Sequence, residues 1–153
     1  MPAQQNETLN VVKIVKMAVD IFDENYIHFS SDEEEIIAKL DRTQLIRVVT
    51  NLVKNATQAI VNVEAPNVLV TVSKEGDFVK MTVEDNGVGI SMESKDKVFE
   101  PKFTTKTSGM GLGLGMVKNI VETYKGTINF TTVPGKGTIF TVRFPIANEG
   151  ENM

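Results

Sequence analysis

The chain has 153 residues with 16 basic and 20 acidic side chains, a formal charge of −4, 41% hydrophobic and 24% charged residues, and no cysteine. This balance describes one soluble globular domain, able to bury roughly 70% of its unfolded surface, with no general attraction for nucleic acid. It excludes a disulfide scaffold and thiolate chemistry, and no apolar run approaches the roughly 20 residues of a membrane span, so no direct membrane insertion is expected.

Residues 1–8 read as a flexible N-terminal segment, residues 9–146 as the domain and residues 147–153 as a flexible tail. The first helix spans 11–22, with Asn10 as its N-cap. Short strands are expected at 26–30 and 36–40, around an acidic turn at 31–35. Asp41 then opens a helix running to Val61, in which Leu45, Val48, Val49, Leu52, Ala56, Ala59 and Ile60 form one apolar stripe. Residues 68–73 and 78–84 alternate as strands, joined at Glu75-Gly76-Asp77.

From Asp85 to Gly115 the chain is rich in Gly, Ser, Thr and Lys, with one helical turn at 93–99, and reads as a binding loop or lid. A helix beginning within the glycines continues over 116–124 and stops at Gly126. A last hairpin pairs 127–133 with 137–144. Helices interleaved with strand pairs predict an α+β fold. Its architecture is a two-layer α/β sandwich, with a mixed, mostly antiparallel sheet covered on one face by helices.

Three stretches carry chemistry. Gln44, Asn51, Asn55, Gln58 and Asn62 border the apolar stripe, and Asn51 and Asn55 stand one turn apart. Asparagine is a poor residue inside a helix. The pair is therefore either a set of satisfied boundary amides or a carbonyl oxygen offered to a hard cation such as Mg²⁺. In Asp85-Asn86-Gly87-Val88-Gly89 an aspartate ends a strand before two glycines. Beyond an ordinary turn, this suits a planar ligand whose exocyclic amine donates to the carboxylate, as that of adenine can, whereas guanine presents a carbonyl at the matching ring position. Ser108-Gly109-Met110-Gly111-Leu112-Gly113-Leu114-Gly115 runs into a helix, where glycine frees backbone N–H groups for phosphate. It is neither a Rossmann fingerprint nor a P-loop. Between these, Phe99 and Phe103 flank Pro101, followed by Thr104, Thr105 and Lys106.

In this order the motifs resemble the ATP-binding catalytic domain of sensor histidine kinases, in the GHKL superfamily. The run Asn55 to Ala59 is similar to that of nitrogen-regulation-type sensors. The asparagine motif is Asn51 to Ala56, the first glycine motif Asp85 to Gly89, the phenylalanine motif Phe99 to Phe103, and the second glycine motif Gly109 to Leu114. The closing hairpin from Gly135 to Pro145 also matches. The resemblance implies ATP and Mg²⁺ as cofactors. Asn55 would hold the metal, and Asn51 would touch the phosphates or help place it. Asp85 would bind the adenine amine, supported through a water by Thr138, with Gly87, Gly89 and Ile90 around the base. Gly111, Leu112, Gly113 and Leu114 would meet the phosphates, and Thr104 to Gly109 would form the lid.

The hydrolytic branch of that superfamily carries glutamate at the position of Asn51. An amide cannot act as that general base, so the γ-phosphoryl group would be kept for another acceptor. The only histidine, His28, sits in a short strand with no acidic residue after it, unlike an accepting histidine. The implied acceptor is a histidine on a separate dimerisation domain of the same full-length kinase, and a response regulator receiver domain would follow. The location would be cytoplasmic, whether or not the parent protein is membrane-anchored. A serine kinase of the anti-sigma-factor type, or a nucleotide-sensing domain without transfer activity, are the alternatives.

Overall fold

Strict alternation of apolar and polar residues builds the main sheet. Val68, Val70 and Val72 of β4 (Val68–Glu75) and Val79, Met81 and Val83 of β5 (Phe78–Asp85) are buried, whereas the residues between them are not. A computed structural model of the chain describes residues 6–100 and 110–146, with the backbone alone for residues 110–112. Its other elements are β1 (Asn6–Asn10), α1 (Val11–Asp20), β2 (Ile27–Ser31), β3 (Ile37–Asp41), α2 (Arg42–Ala59), α3 (Met110–Thr123), β6 (Thr127–Val133) and β7 (Gly137–Pro145). A single 3₁₀ turn at Lys95–Lys97 lies in the segment between β5 and α3.

The five-stranded sheet has the order β2-β4-β5-β7-β6. Only β2 and β4 run parallel; β4–β5, β5–β7 and β6–β7 are antiparallel. The register stacks the covered face into cross-strand rows. One row is Ile128, Val142, Met81 and Val72, and the next is Phe130, Phe140, Val83 and Val70. The row after that, at the sheet's end, is Thr132, Thr138, Asp85 and Val68, where apolar residues give way to polar ones.

Helices close this face. α1 lies against β2 and β4, α2 against β4 and β5, and α3 against β6 and β7. Val11, Ile14, Val15 and Ala18 of α1, Val48, Val49, Leu52 and Val53 of α2, and Val117 and Val121 of α3 join the strand side chains in one core. The opposite face is polar: Arg143 Nε approaches Glu75 Oε1 at 2.6 Å and holds that carboxyl below its usual range. This is the expected two-layer α+β arrangement, and among the described residues no helix is long and apolar enough to cross a membrane.

Several boundaries differ from the sequence reading. Residues 6–8, placed there in the flexible N-terminal segment, belong to β1 and pair with residues 39–41 of β3. Only Leu9 of β1 is buried, so the strand carries no alternation, and it exists because β3 lies beside it. Helix α2 stops at Ala59 rather than Val61, which takes Asn62 off the helix. The released Ala59 carbonyl accepts the Val88 N–H at 3.1 Å. Val53, outside the predicted stripe, is buried, and Ala59, within it, only partly so.

The caps fall where the sequence places them. Asn10 accepts from Val12 N at 3.1 Å and Asp41 from Gln44 N at 3.2 Å, each offering a side-chain oxygen to an otherwise free helical N–H. After α3, Lys125 rather than Gly126 takes the left-handed conformation, at φ 63°. Gly126 serves a close approach instead, since a Cβ there would lie 2.3 Å from the Arg143 carbonyl oxygen.

Two glycines of the β6–β7 turn separate strain from crowding. Gly135, at φ +80°, has open space around it, whereas a Cβ on Gly137, at φ +140°, would meet the Asp85 carbonyl oxygen at 2.1 Å. Gly135→Ala should cost about 1 kcal/mol of stability, the backbone penalty alone. Gly137→Ala should cost at least about 3 kcal/mol, because the β5–β7 pairing must also open. Urea unfolding of the two variants beside the parent measures the difference.

Candidate functional site

The site follows one edge of α2. Asn51, Asn55 and Ala59 recur every fourth residue, so they line one side of the helix over about 12 Å. Each marks a junction with a different part of the chain.

At Asn51 the neighbour is the first turn of α3. The Asn51 amide nitrogen donates to the Arg47 carbonyl at 2.8 Å. This turns Oδ1 toward α3, where a Cβ on Gly113 would come within 3.0 Å of it. The described part of α3 opens at Met110, which puts the N–H groups of Gly111 and its neighbours in the first described turn, with Gly113 at that turn's end. Those N–H groups and the positive end of the helix dipole favour an anion there. Leu114, also expected at the site, is buried in the core. Leu112 and Gly111 are placed by backbone only, and Thr104, Thr105, Lys106 and Gly109 lie outside the described residues.

One turn further on, Asn55 is 8% exposed, and among the described residues its Oδ1 has no hydrogen-bond partner. Leaving such an oxygen unpaired costs about 1–3 kcal/mol, so a group that binds there gains what the free domain forgoes. Of the two readings of the amide pair, the unpaired oxygen favours an oxygen offered to a cation. Among the described residues no three His, Cys, Asp or Glu side chains gather to hold a metal ion. A hard cation at Asn55 would therefore need oxygen ligands brought by its own partner, as magnesium commonly has with phosphates.

At Ala59 the neighbour is the loop after β5. A Cβ on Gly87 would lie 2.4 Å from the Ala59 carbonyl oxygen, and one on Gly89, at φ +77°, 2.7 Å from the Val133 carbonyl oxygen. Only glycine lets the loop thread between α2 and the β6–β7 hairpin. Gly135 N donates to Val88 O at 2.8 Å, and Ile90 N donates to Thr132 Oγ1 at 2.8 Å, which fixes the loop's far side.

Asp85 sits at the base of this loop, 5% exposed, on the covered face of the sheet. Its Oδ1 accepts from Gly87 N at 2.8 Å. Burial pushes the carboxyl above its usual range, only partly opposed by the Gly87 and Thr138 N–H groups, while the neighbouring Glu84 charge adds to the rise. Its register partner across the β5–β7 pair is Thr138, also 5% exposed. A carboxylate has about four lone-pair sites, more than two N–H groups fill, so buried Asp85 is a strong acceptor for a further donor.

Two residues in this constellation were not singled out from the sequence. Asn86 clamps the loop to the 65–67 segment: its Oδ1 accepts from Asn67 N at 2.8 Å, and its Nδ2 donates to Ala65 O at 2.7 Å. Thr132 lies beside Thr138 and bonds to it at 2.8 Å. The alternation Ile128, Phe130, Thr132 carried the signal for Thr132, since a hydroxyl there interrupts an inward-facing apolar series.

A raised carboxyl binds protons more readily in the folded state than in the unfolded one. Asp85 therefore makes its most favourable contribution below the usual carboxylate pKa and loses it as the pH rises through the folded value. Asp85→Asn, which keeps the acceptor for Gly87 N, should leave the free domain as stable as the parent or more so at pH 7. The advantage should shrink as the pH falls toward 4; urea unfolding at pH 7 and pH 4.5 checks the sign.

The chain is similar to known proteins over nearly all of this framework. It is 40% identical over 120 residues to the sensor histidine kinase ZraS of Escherichia coli (strain K12), covering 78% of this chain and 25% of that protein. It is 32% identical over 143 residues to a sensor histidine kinase described as putative and NtrY-like, from Rickettsia conorii, covering 93% of this chain and 24% of that protein. The chain thus spans about a quarter of the length of the curated relatives it matches. The nucleotide-free catalytic domain of histidine kinase ThkA superposes with a TM-score of 0.83 at 29% identity, over 94% of this chain and 97% of that one. ThkA in complex with the response regulator TrrA superposes with a TM-score of 0.76 at 26% identity, over 93% of this chain and 42% of that one. Residues 40–148 match the family described as histidine kinase-, DNA gyrase B- and HSP90-like ATPase. The chain, with its asparagine-bearing helix and glycine-lined loop, belongs to that ATPase family.

Proposed function

We propose that this chain is the ATP-binding catalytic domain of a sensor histidine kinase, which positions Mg-ATP and donates its γ-phosphoryl group to a histidine on a separate dimerisation domain. The observation that carries the reading is the buried Asn55 Oδ1 without a partner, midway between the α3 start and Asp85. Mg²⁺ suits that oxygen, and when bound it neutralises phosphate charge.

Each residue then has a task set by its surroundings. Asp85 accepts from the exocyclic amine of adenine with the oxygen that Gly87 leaves free. Gly87, Gly89 and Ile90 keep the loop thin against the base, and Thr138 supports the amine beside Asp85. Asn55 ligates the cation. Asn51, with one N–H donated to Arg47, turns its oxygen toward α3 and helps place the metal or the phosphates. The glycine-rich start of α3, from Gly111 through Leu112 and Gly113 to Leu114, meets the phosphates, and Leu114 is anchored in the core. Thr104, Thr105, Lys106 and Gly109 are assigned to nucleotide binding on the family resemblance of their motif alone.

No residue at the Asn51 position can take a proton from water, so the domain holds the nucleotide without hydrolysing it rapidly. Catalysis rests on placing the terminal phosphate in line with an incoming imidazole. That imidazole is not His28, which is exposed on β2, the edge strand of the sheet. The relatives are about four times longer than the stretch matched here, which supports an acceptor elsewhere in a longer protein. The ThkA complex supports a response regulator as the downstream partner.

Calorimetry with ATP in the presence and absence of Mg²⁺ tests the pocket. Asn55→Ala should lower Mg-ATP affinity by more than about tenfold and abolish the magnesium dependence, with an unfolding midpoint no lower than the parent's. Undiminished affinity would refute the assignment. Mixing the domain with Mg-ATP and a histidine-bearing helical hairpin from the same kinase should yield an acid-labile phosphate on the hairpin. An acid-stable phosphate on a serine of a partner would favour a serine kinase, and no transfer a nucleotide sensor.

A further inference from the structure

Three contacts converge on one hydroxyl at the end of the sheet. Thr132 Oγ1 lies 2.8 Å from Ile90 N, 3.1 Å from the Gly137 carbonyl oxygen and 2.8 Å from Thr138 Oγ1. A hydroxyl has one proton to give and two lone pairs to receive with. Ile90 N can only donate, so Thr132 accepts from it. The Gly137 carbonyl can only accept, so Thr132 gives it its proton. One lone pair remains, and the third contact becomes a hydrogen bond only if Thr138 donates its own proton to it. No other assignment makes bonds of all three contacts.

We infer that Thr132 is a positioning residue for base selection: by taking the Thr138 proton it leaves Thr138 Oγ1 an acceptor only, beside the carboxylate of Asp85. The inference rests on the reading of Asp85 as the adenine site and extends it to a residue without a role there. Thr132, Thr138 and Asp85 occupy one cross-strand row on the covered face, so the effect passes through neighbouring side chains. With Asp85 and Thr138 both acceptors, the ligand edge between them must donate. The 6-amino group of adenine does so, and a 6-oxo purine places a third acceptor there. A water between the groups changes nothing. It gives its two protons to Asp85 and Thr138 and so offers the ligand only lone pairs.

If the Thr138 hydroxyl were free to turn, it could donate to a 6-oxo group, and discrimination would fall. The probe is the pair adenosine triphosphate and inosine triphosphate, which differ at that edge and keep the same sugar and phosphates. Affinities for both magnesium complexes would be measured by calorimetry on the parent chain, Thr132→Ser, Thr132→Val and Thr132→Ala. The parent and Thr132→Ser should prefer ATP by the same factor. Thr132→Val should narrow that preference by about tenfold, chiefly by improving inosine triphosphate binding. Thr132→Ala removes the hydroxyl without adding bulk, and gives the same answer if the valine variant does not fold.

An unchanged preference in the valine and alanine variants, or an equal loss of both nucleotides, overturns the inference and leaves Thr132 a structural residue. A serine variant that behaves like valine overturns it as well. Failure of the parent chain to bind ATP, or binding insensitive to Asp85→Asn, overturns the adenine reading itself and this inference with it.

Discussion

A carboxylate is buried at the end of an apolar sheet face, and most of the surrounding chain is arranged to tolerate it. Asp85 ends β5 where the rows of valine and phenylalanine stop, and burial raises its pKa. Isolated in such a place, an ionised group would cost several kcal/mol. Two backbone N–H groups, from Gly87 and Thr138, reduce that cost without supplying a countercharge. A countercharge would have made a comfortable ion pair and left nothing to bind a ligand. N–H donors leave the carboxylate its charge and its remaining lone pairs for a ligand.

That constraint explains the glycines around it. For the Gly87 N–H to reach Asp85, the loop must turn back at once against α2, where the Ala59 carbonyl leaves no room for a Cβ. For Thr138 to face Asp85, β7 must begin close against β5, and there Gly137 meets the Asp85 carbonyl. The loop is pinned on both sides, by Asn86 to the 65–67 segment and by Ile90 to Thr132. A preorganised acceptor of this kind binds its ligand without first paying to order the loop. Asn55 repeats the principle with a neutral group, an oxygen held in place and left without a partner.

The division between the two ends of α2 is also physical. At the Ala59 end the contacts are rigid, backbone to backbone and within hydrogen-bond distance. At the Asn51 end they run to Gly113 of α3, and Phe99, ahead of that helix, packs edge-on to Phe130 and Phe140. Lys118 of α3 stands 5.4 Å from the Phe99 ring centroid and ties α3 to that anchor. The sheet therefore fixes the aromatic anchor of the segment as firmly as it fixes Asp85.

Strand alternation in β4, β5, β6 and β7, the N-caps Asn10 and Asp41, and the glycine of the β4–β5 turn are local signals, and the sequence by itself determined them. It also determined which residues could carry chemistry, because asparagine inside a helix and glycine at alternate positions are locally unfavourable and stand out. Tertiary structure decided what no local preference encodes. β1 is a strand only because β3 pairs with it, α2 ends at Ala59 because the Val88 N–H takes its carbonyl, and Gly126 answers to Arg143 rather than to the helix it follows. Thr132 and Asn86 acquired their positions in the same way, from cross-strand register and a loop-to-loop clamp. Hydrogen-bond partners distant in the chain leave no mark on the residues between them, so only the folded arrangement could say which amide, hydroxyl or carbonyl each of these groups would meet.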